Sequence, residues 1–339
     1  MDTVTQALLG GAVGYMVAGK KAPRKAVLWG AAIAVLPDLD IFIPHETDLA
    51  SMTLHRSWTH SWFVQTAIAP LLAMLFHRFD RNKTFSYLTW FLLTWLALTT
   101  HSALDGLTVY GTQLFWPLMP SPVSGGSVFI IDPTYSIPLL IGILAVLLSP
   151  DKPFSHKLMR YTFGFSCLYL TWGVFAQQWV EHEAETAFKE QGIEIDHMQV
   201  SATAFNTILW RVVAVNDAHY YEGFHSLLEG NQPIILKTYP RGAELIDKVD
   251  HYPSYKRINW FTRGLFKLEL QGNQVIASDL RMGMEPSYFF RFQIAEKQQQ
   301  RFMPVTPNRF PTQSHRRDGV RWVWQRIWNP AVEFNPQLN

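Results

Sequence analysis

The sequence predicts an α-helical membrane bundle of about six transmembrane helices (residues 1–180), followed by a soluble, mainly β (α+β) domain (residues 181–339). Three observations predict it. Charged residues make up only 17% of the chain, where soluble domains carry roughly 25%. The long apolar runs all fall before about residue 180, and the remainder of the chain resembles an ordinary soluble sequence. Cations are also distributed unevenly among the loops that join the apolar runs.

The apolar segments are read at roughly 4–19, 26–43, 62–76, 86–104, 136–149 and 160–180. A crossing needs about 20 residues, so the fourth and sixth are expected to span outright, while the third and fifth need flanking polar residues. The first two are Ala/Gly-rich and are expected inside the bundle. There Gly10 and Gly14 form a small-xxx-small pair that lets two helices approach closely. The start, Met1-Asp2-Thr3-Val4-Thr5-Gln6, lacks the basic region of a cleavable signal. Cys167, the single cysteine, excludes an internal disulfide framework and a Cys-based zinc site and is expected to be a small buried apolar residue.

Loop charge predicts orientation. Lys20, Lys21, Arg24 and Lys25 separate segments one and two; Arg78, Arg81 and Lys83 separate three and four; Lys152, Lys157 and Arg160 separate five and six. The alternate connections hold only Arg56. By the positive-inside rule the basic loops are cytoplasmic. That places the N-terminus, the cation-poor loops and the C-terminal domain outside a bacterial inner (plasma) membrane, in a multi-pass protein with a periplasmic or extracytoplasmic domain. In that domain, alternation predicts strands at Ile208–Val215, Tyr220–Leu228, Leu265–Leu270 and Tyr288–Ile294, with a hairpin turn at Gln271-Gly272-Asn273. Trp322–Trp328 is expected as a final amphipathic helix lying on the membrane surface.

Three polar clusters interrupt the apolar segments. Pro37-Asp38-Leu39-Asp40 closes the second, where two carboxylates are costly without partners. His55-Arg56-Ser57-Trp58-Thr59-His60-Ser61 precedes the third. Its two histidines are about 140° apart on a helix and converge only if a loop leads into one. Thr100-His101-Ser102-Ala103-Leu104-Asp105 ends the fourth, with His101 and Asp105 on one face. The orientation, assigned from Lys and Arg alone, delivers all three to the outer side. Asp38, His60, His101 and Asp105 are therefore read as ligands of a divalent metal. Zinc suits this set best, with manganese or iron as alternatives and one or two ions in all. Asp40, His55 and Arg56 are read as catalytic, Arg56 as a cation able to hold an anionic substrate group. Asp2 and Gln6 reach the same end, and Tyr110, Gln113, Trp116 and Asp132 lie in the next loop.

Asp2-Thr3-Val4-Thr5-Gln6-Ala7-Leu8-Leu9-Gly10, Leu36-Pro37-Asp38-Leu39-Asp40, His55–Ser61, His101–Asp105 and Gly111-Thr112-Gln113-Leu114-Phe115-Trp116-Pro117 occur in that order. Over about residues 1–135 this resembles the YdjM-type family of inner-membrane metal-dependent hydrolases. The resemblance implies a membrane-bound hydrolase with metal ligands among these residues. The chain departs from the family at Gln6, where relatives carry His. The His-x-x-x-Asp pair is also similar, in local chemistry only, to those of zinc-dependent phospholipase C.

The function expected is a metal-dependent hydrolase in the membrane, working at its outer face on a phosphoester or lipid-linked substrate. The alternative is a structural metal clamp with an extracytoplasmic binding domain, for which Trp210, Tyr220, Tyr221 and Phe224 are candidate contact residues, although their first reading is β-sheet core. A transporter fits less well, because the ionisable groups sit at segment ends and not at the midplane. No nucleic-acid partner is expected; the lipid bilayer is.

Overall fold

A computed structural model describes residues 1–118, 121–230, 232–312 and 316–334. Helices come first: α1 (Thr3–Ala18), α2 (Pro23–Ala34), a 3₁₀ turn (Leu36–Phe42), α3 (Asp48–Leu54), a second 3₁₀ turn (Trp58–His60), α4 (Trp62–Phe79), α5 (Tyr87–Gly106), α6 (Pro133–Leu148) and α7 (Pro153–Glu190). Strands β1 (His197–Ala202), β2 (Leu209–Val215), β3 (His219–Ser226) and β4 (Leu236–Pro240) come next. Then come α8 (Ala243–Val249), α9 (Pro253–Thr262), β5 (Phe266–Gln271), β6 (Gln274–Asp279), β7 (Gly283–Met284), β8 (Ser287–Tyr288), β9 (Arg291–Gln298), β10 (Arg301–Arg309) and α10 (Arg316–Trp328). Two compact units result, Met1–Ile43 with His55–Gly173, and Pro44–Leu54 with Val174–Asn339.

In the helical unit, chain turns are set by local capping. The Asp2 carboxylate accepts from the amides of Val4 and Thr5, Ser61 caps α4, Ser86 caps α5, and Asp132 caps α6. α1 packs on α2 through glycine. A Cβ on Gly10 would lie 2.4 Å from the Gly30 carbonyl oxygen, and one on Gly14 would lie 2.3 Å from that of Ala26. This is the close approach expected of the Gly10/Gly14 pair, and its partner proves to be Gly30. Two apolar cores flank this contact. One joins Leu9, Val13, Leu104, Tyr135, Leu139 and Met159; the other joins Ile33, Ala73, Phe85, Trp90 and Leu93. Outward faces are also apolar: Leu71, Met74 and Phe79 on α4, Ile141 and Leu148 on α6, and Tyr161 and Leu168 on α7 are exposed.

Several expectations change. Among the described residues no single helix is long and apolar enough to cross a membrane, although Asp48–His60 and Trp62–Phe79 are so together as a bent pair. The fourth segment falls short because α5 carries Thr94, Thr99, Thr100, His101, Ser102 and Asp105. The sixth falls short because Thr, Tyr, Trp and Gln dilute α7, whose 38 residues run on into a charged half. Cys167 is exposed, not buried. It lies on α7 beside the outward-facing Leu168.

The second unit is β-rich. β1-β2-β3-β4 form one antiparallel sheet and β10-β9-β6-β5 another. Every residue of β2 is buried. Trp210, Val212 and Ala214 pack with Ala176, Val180, Ala184 and Phe188 of α7, while Val213 and Val215 pack with Leu265, Leu280 and Tyr288. Trp210, Tyr220 and Tyr221 are thus core residues, and Phe224 packs on Trp322. Buried Arg211 pairs with Glu222 at 2.6 Å and donates to the Leu280 carbonyl. The strands at 208–215, 220–228 and 265–270 form as expected, and Gln271 pairs with Gln274 around Gly272 (φ 61°). Tyr288–Ile294 is not one strand: β8 pairs back on β7, and β9 begins at Arg291. α10 forms; its Trp322, Val323 and Ile327 pack against Leu209 and Phe224, while Val320, Trp324 and Trp328 on its other side are exposed.

Candidate metal centre

The first 3₁₀ turn carries Asp38 and Asp40, the second carries His60, and the last turns of α5 carry His101 and Asp105. Pro37 at the start of the first turn helps to end the α-helical run. The short turn after His55 lets His60 face inward, as the loop-then-helix reading required. Asp38, His60, His101 and Asp105 each bring one ligand atom, all within 4.8 Å of one another.

The separations are informative. His60 Nε2 lies 3.4 Å from Asp38 Oδ1 and 3.3 Å from Asp105 Oδ2; His101 Nε2 lies 3.5 and 3.4 Å from the same atoms; the two Nε2 atoms are 3.1 Å apart. Ligands about 2.0–2.1 Å from a zinc ion stand about 3.3 Å from each other on the edges of a tetrahedron. These five separations, 3.1 to 3.5 Å, match such edges. Asp38 Oδ1 and Asp105 Oδ2 are buried without a hydrogen-bond donor. Two carboxylate oxygens and two imidazole nitrogens gathered this closely can share one cation. The residues therefore fit a divalent metal. His60, His101 and Asp105 are completely buried, while the Asp38 side chain is 15% exposed and marks the open side.

Surrounding groups orient the ligands. The Thr59 hydroxyl lies 2.9 Å from His60 Nδ1. Asp40 is not among the four: its carboxylate contacts His55 Nδ1 at 2.6 Å and accepts from the Arg56 amide at 2.9 Å and the Thr59 hydroxyl at 2.7 Å. It thereby closes the loop that carries His60, in which Arg56 holds a left-handed φ of 64°. His55 stays partly exposed, its ring 6.0 Å from that of His60. The buried Arg56 guanidinium lies 3.3 Å from Asp105 Oδ1, over the Tyr110 ring at 5.0 Å. The Met1 amine also donates to Asp105 Oδ1.

The other predicted residues divide. Gln6 is fully buried and donates to Asp105. The Gln113 amide donates to the Arg56 carbonyl, and Trp116 accepts from Ser61 through its carbonyl. Asp2 and Asp132 cap helices. Gln65, which carries no motif to mark it in the sequence, bridges Thr59 to Ser102 beside the cluster.

A helical unit with an apolar outer surface that closes around two imidazoles and two carboxylates defines a membrane-type protein with a site able to hold a metal. The chain belongs to the family of the YdjM inner membrane protein, which matches residues 1–180. No curated protein and no solved structure matches it.

Proposed function

We propose that this chain is a metal-dependent hydrolase of the inner membrane, multi-pass, with its site at the outer face and its β-rich domain extracytoplasmic, acting on a phosphoester or lipid-linked substrate. The observation that carries this reading is the His60/His101/Asp38/Asp105 cage, closed by burial and open only beside Asp38. Zinc fits the cage best; manganese and iron use the same donors. When bound, such an ion supplies Lewis acidity and a nucleophile drawn from water near neutral pH. The chain's own groups do the rest. Asp40 holds His55 through Nδ1, which leaves Nε2 of this partly exposed ring to take up or give a proton. Arg56 offsets the charge of Asp105 through Nη2, while its Nε has no hydrogen-bond partner. Apolar side chains on the outer faces of α4, α6 and α7 support burial in lipid.

Purified full-length protein is expected to retain about one equivalent of zinc, manganese or iron, and His101→Ala to retain almost none. Equal, negligible metal in both would remove the reading. One observation favours the alternative of a structural clamp: four protein donors fill a tetrahedron, as in closed structural sites. In that case chelation lowers the melting temperature, yet the metal-loaded protein cleaves no phosphodiester or lipid phosphoester.

A further inference from the structure

We propose that Gln6 is a positioning residue of the metal centre that, together with the Met1 amine and Arg56, confines Asp105 to one ligating oxygen. This rests on the proposed metal reading of the site. Gln6 lies on α1, in a different helix from the ligands it touches, and is completely buried. Its amide has two hydrogens and both are used: Nε2 donates to Asp105 Oδ1 at 3.0 Å and to the His101 carbonyl at 3.2 Å. The two acceptors are one turn apart on α5, so a single amide brackets the turn that carries two of the four ligands. The amide's orientation is set by them, since a flipped Gln6 would place its oxygen against a carboxylate and a carbonyl.

The two oxygens of Asp105 are thereby made unlike. Oδ1 receives both Gln6 and the Met1 amine and lies 3.3 Å from Arg56 Nη2, while Oδ2 has no donor and faces both histidine Nε2 atoms. A carboxylate can hold a metal through one oxygen or two. With Oδ1 engaged, only Oδ2 is left for the metal, and the carboxylate plane is fixed from the α1 side. Apolar residues cannot do this, and a glutamate would place acceptors against an acceptor. The Gln6 oxygen has no partner of its own, so the hydrogen bonds of this buried amide all run through its nitrogen to α5.

The test compares full-length wild type with Gln6→Ala and with Gln6→Met, which keeps volume but lacks donors. Zinc affinity is measured by competition with a chelator, and the coordination geometry by visible absorption of the cobalt(II)-loaded proteins. Loss of an outer-shell partner typically weakens metal affinity about 10–100-fold, and that loss is expected in both variants. Cobalt absorption is expected to weaken as Asp105 gains a second contact. Zinc binding within about twofold of wild type, with an unchanged cobalt spectrum, overturns the proposal, because it falls far short of the loss an outer-shell partner causes. So does a lowered melting temperature of the metal-free variants with that spectrum unmoved, since that is a packing role alone. If Gln6→Ala fails to fold, Gln6→Met decides; if neither folds, packing is the role and the proposal falls. Wild type that binds no zinc fails the metal reading itself, a result distinct from these.

Discussion

At Asp40 and Asp105 the same side chain serves two ends. Asp105 turns an unpartnered oxygen toward two imidazoles, whereas Asp40 spends both oxygens on His55, the Arg56 amide and Thr59. Asp40→Asn is expected to weaken metal binding without abolishing it, about 10-fold or more, because the loop carrying His60 loses its anchor while the four ligands stay in place. Equilibrium dialysis against zinc checks this, and an unchanged affinity would count against the anchoring role. The four residues that meet in the cluster were legible from sequence because acids and histidines at the ends of apolar segments are conspicuous. The division of labour between Asp38 and Asp40 was not, since residues two apart in a 3₁₀ segment point to different sides, and only tertiary packing decides which side meets the histidines. In the β-rich unit, burial lowers the His225 imidazole below its ordinary value. The unfolded chain, with a value of about 6.5, then takes up protons that the folded one refuses. Stability conferred by neutral His225 is complete above that pH and is lost as pH falls toward the lower folded value. The melting temperature is expected to drop between about pH 7.5 and 5.5, and less so in His225→Gln.

Among elements, the α1–α2 contact is the tightest in the helical unit. A Cβ on Gly30 would meet the Gly10 carbonyl oxygen at 2.2 Å, too close for side-chain adjustment to relieve. Gly30→Val is therefore expected to cost about 1–3 kcal/mol or more and to displace α1, which carries Gln6. Reduced yield of folded protein on size-exclusion chromatography would show this, and wild-type behaviour would contradict it. In the β-rich unit, Arg211 and Glu222 tie β2 to β3, and Arg211 reaches the carbonyl after β6. Arg211→Met leaves Glu222 buried and unpaired, a loss of about 3–5 kcal/mol, whereas adding Glu222→Leu recovers much of it. Chemical denaturation of the single and double variants separates these outcomes. Alternation located β2, β3 and β5 in the sequence. It failed at Tyr288–Ile294, where β8 folds back on β7, because a short apolar run carries no mark of where a chain reverses.

For the whole molecule, orientation is the open consequence of the charge pattern. A periplasm-dependent reporter enzyme fused after residue 334 is expected to be active, and one inserted in the Lys20–Lys25 loop inactive; the reverse would invert the proposed topology. Removing residues after 180 is a poor test of the helical unit, because α7 runs unbroken from Pro153 to Glu190 and would be cut within its span. The YdjM family match likewise ends inside α7, so the β-rich unit draws no support from it. Sequence by itself determined that a helical part precedes a strand-rich part, the glycine contact of α1, and the four acids and imidazoles that meet. Those are properties of period, residue size and charge, which can be read along a chain. Tertiary structure alone decided which carboxylate oxygen faces the cage, that Asp40 and Gln6 stand behind the ligands, that Arg56 answers Asp105, and that α10 packs on its own unit. Such choices depend on the directions of side chains brought together from distant segments. A linear pattern of residues does not contain those directions.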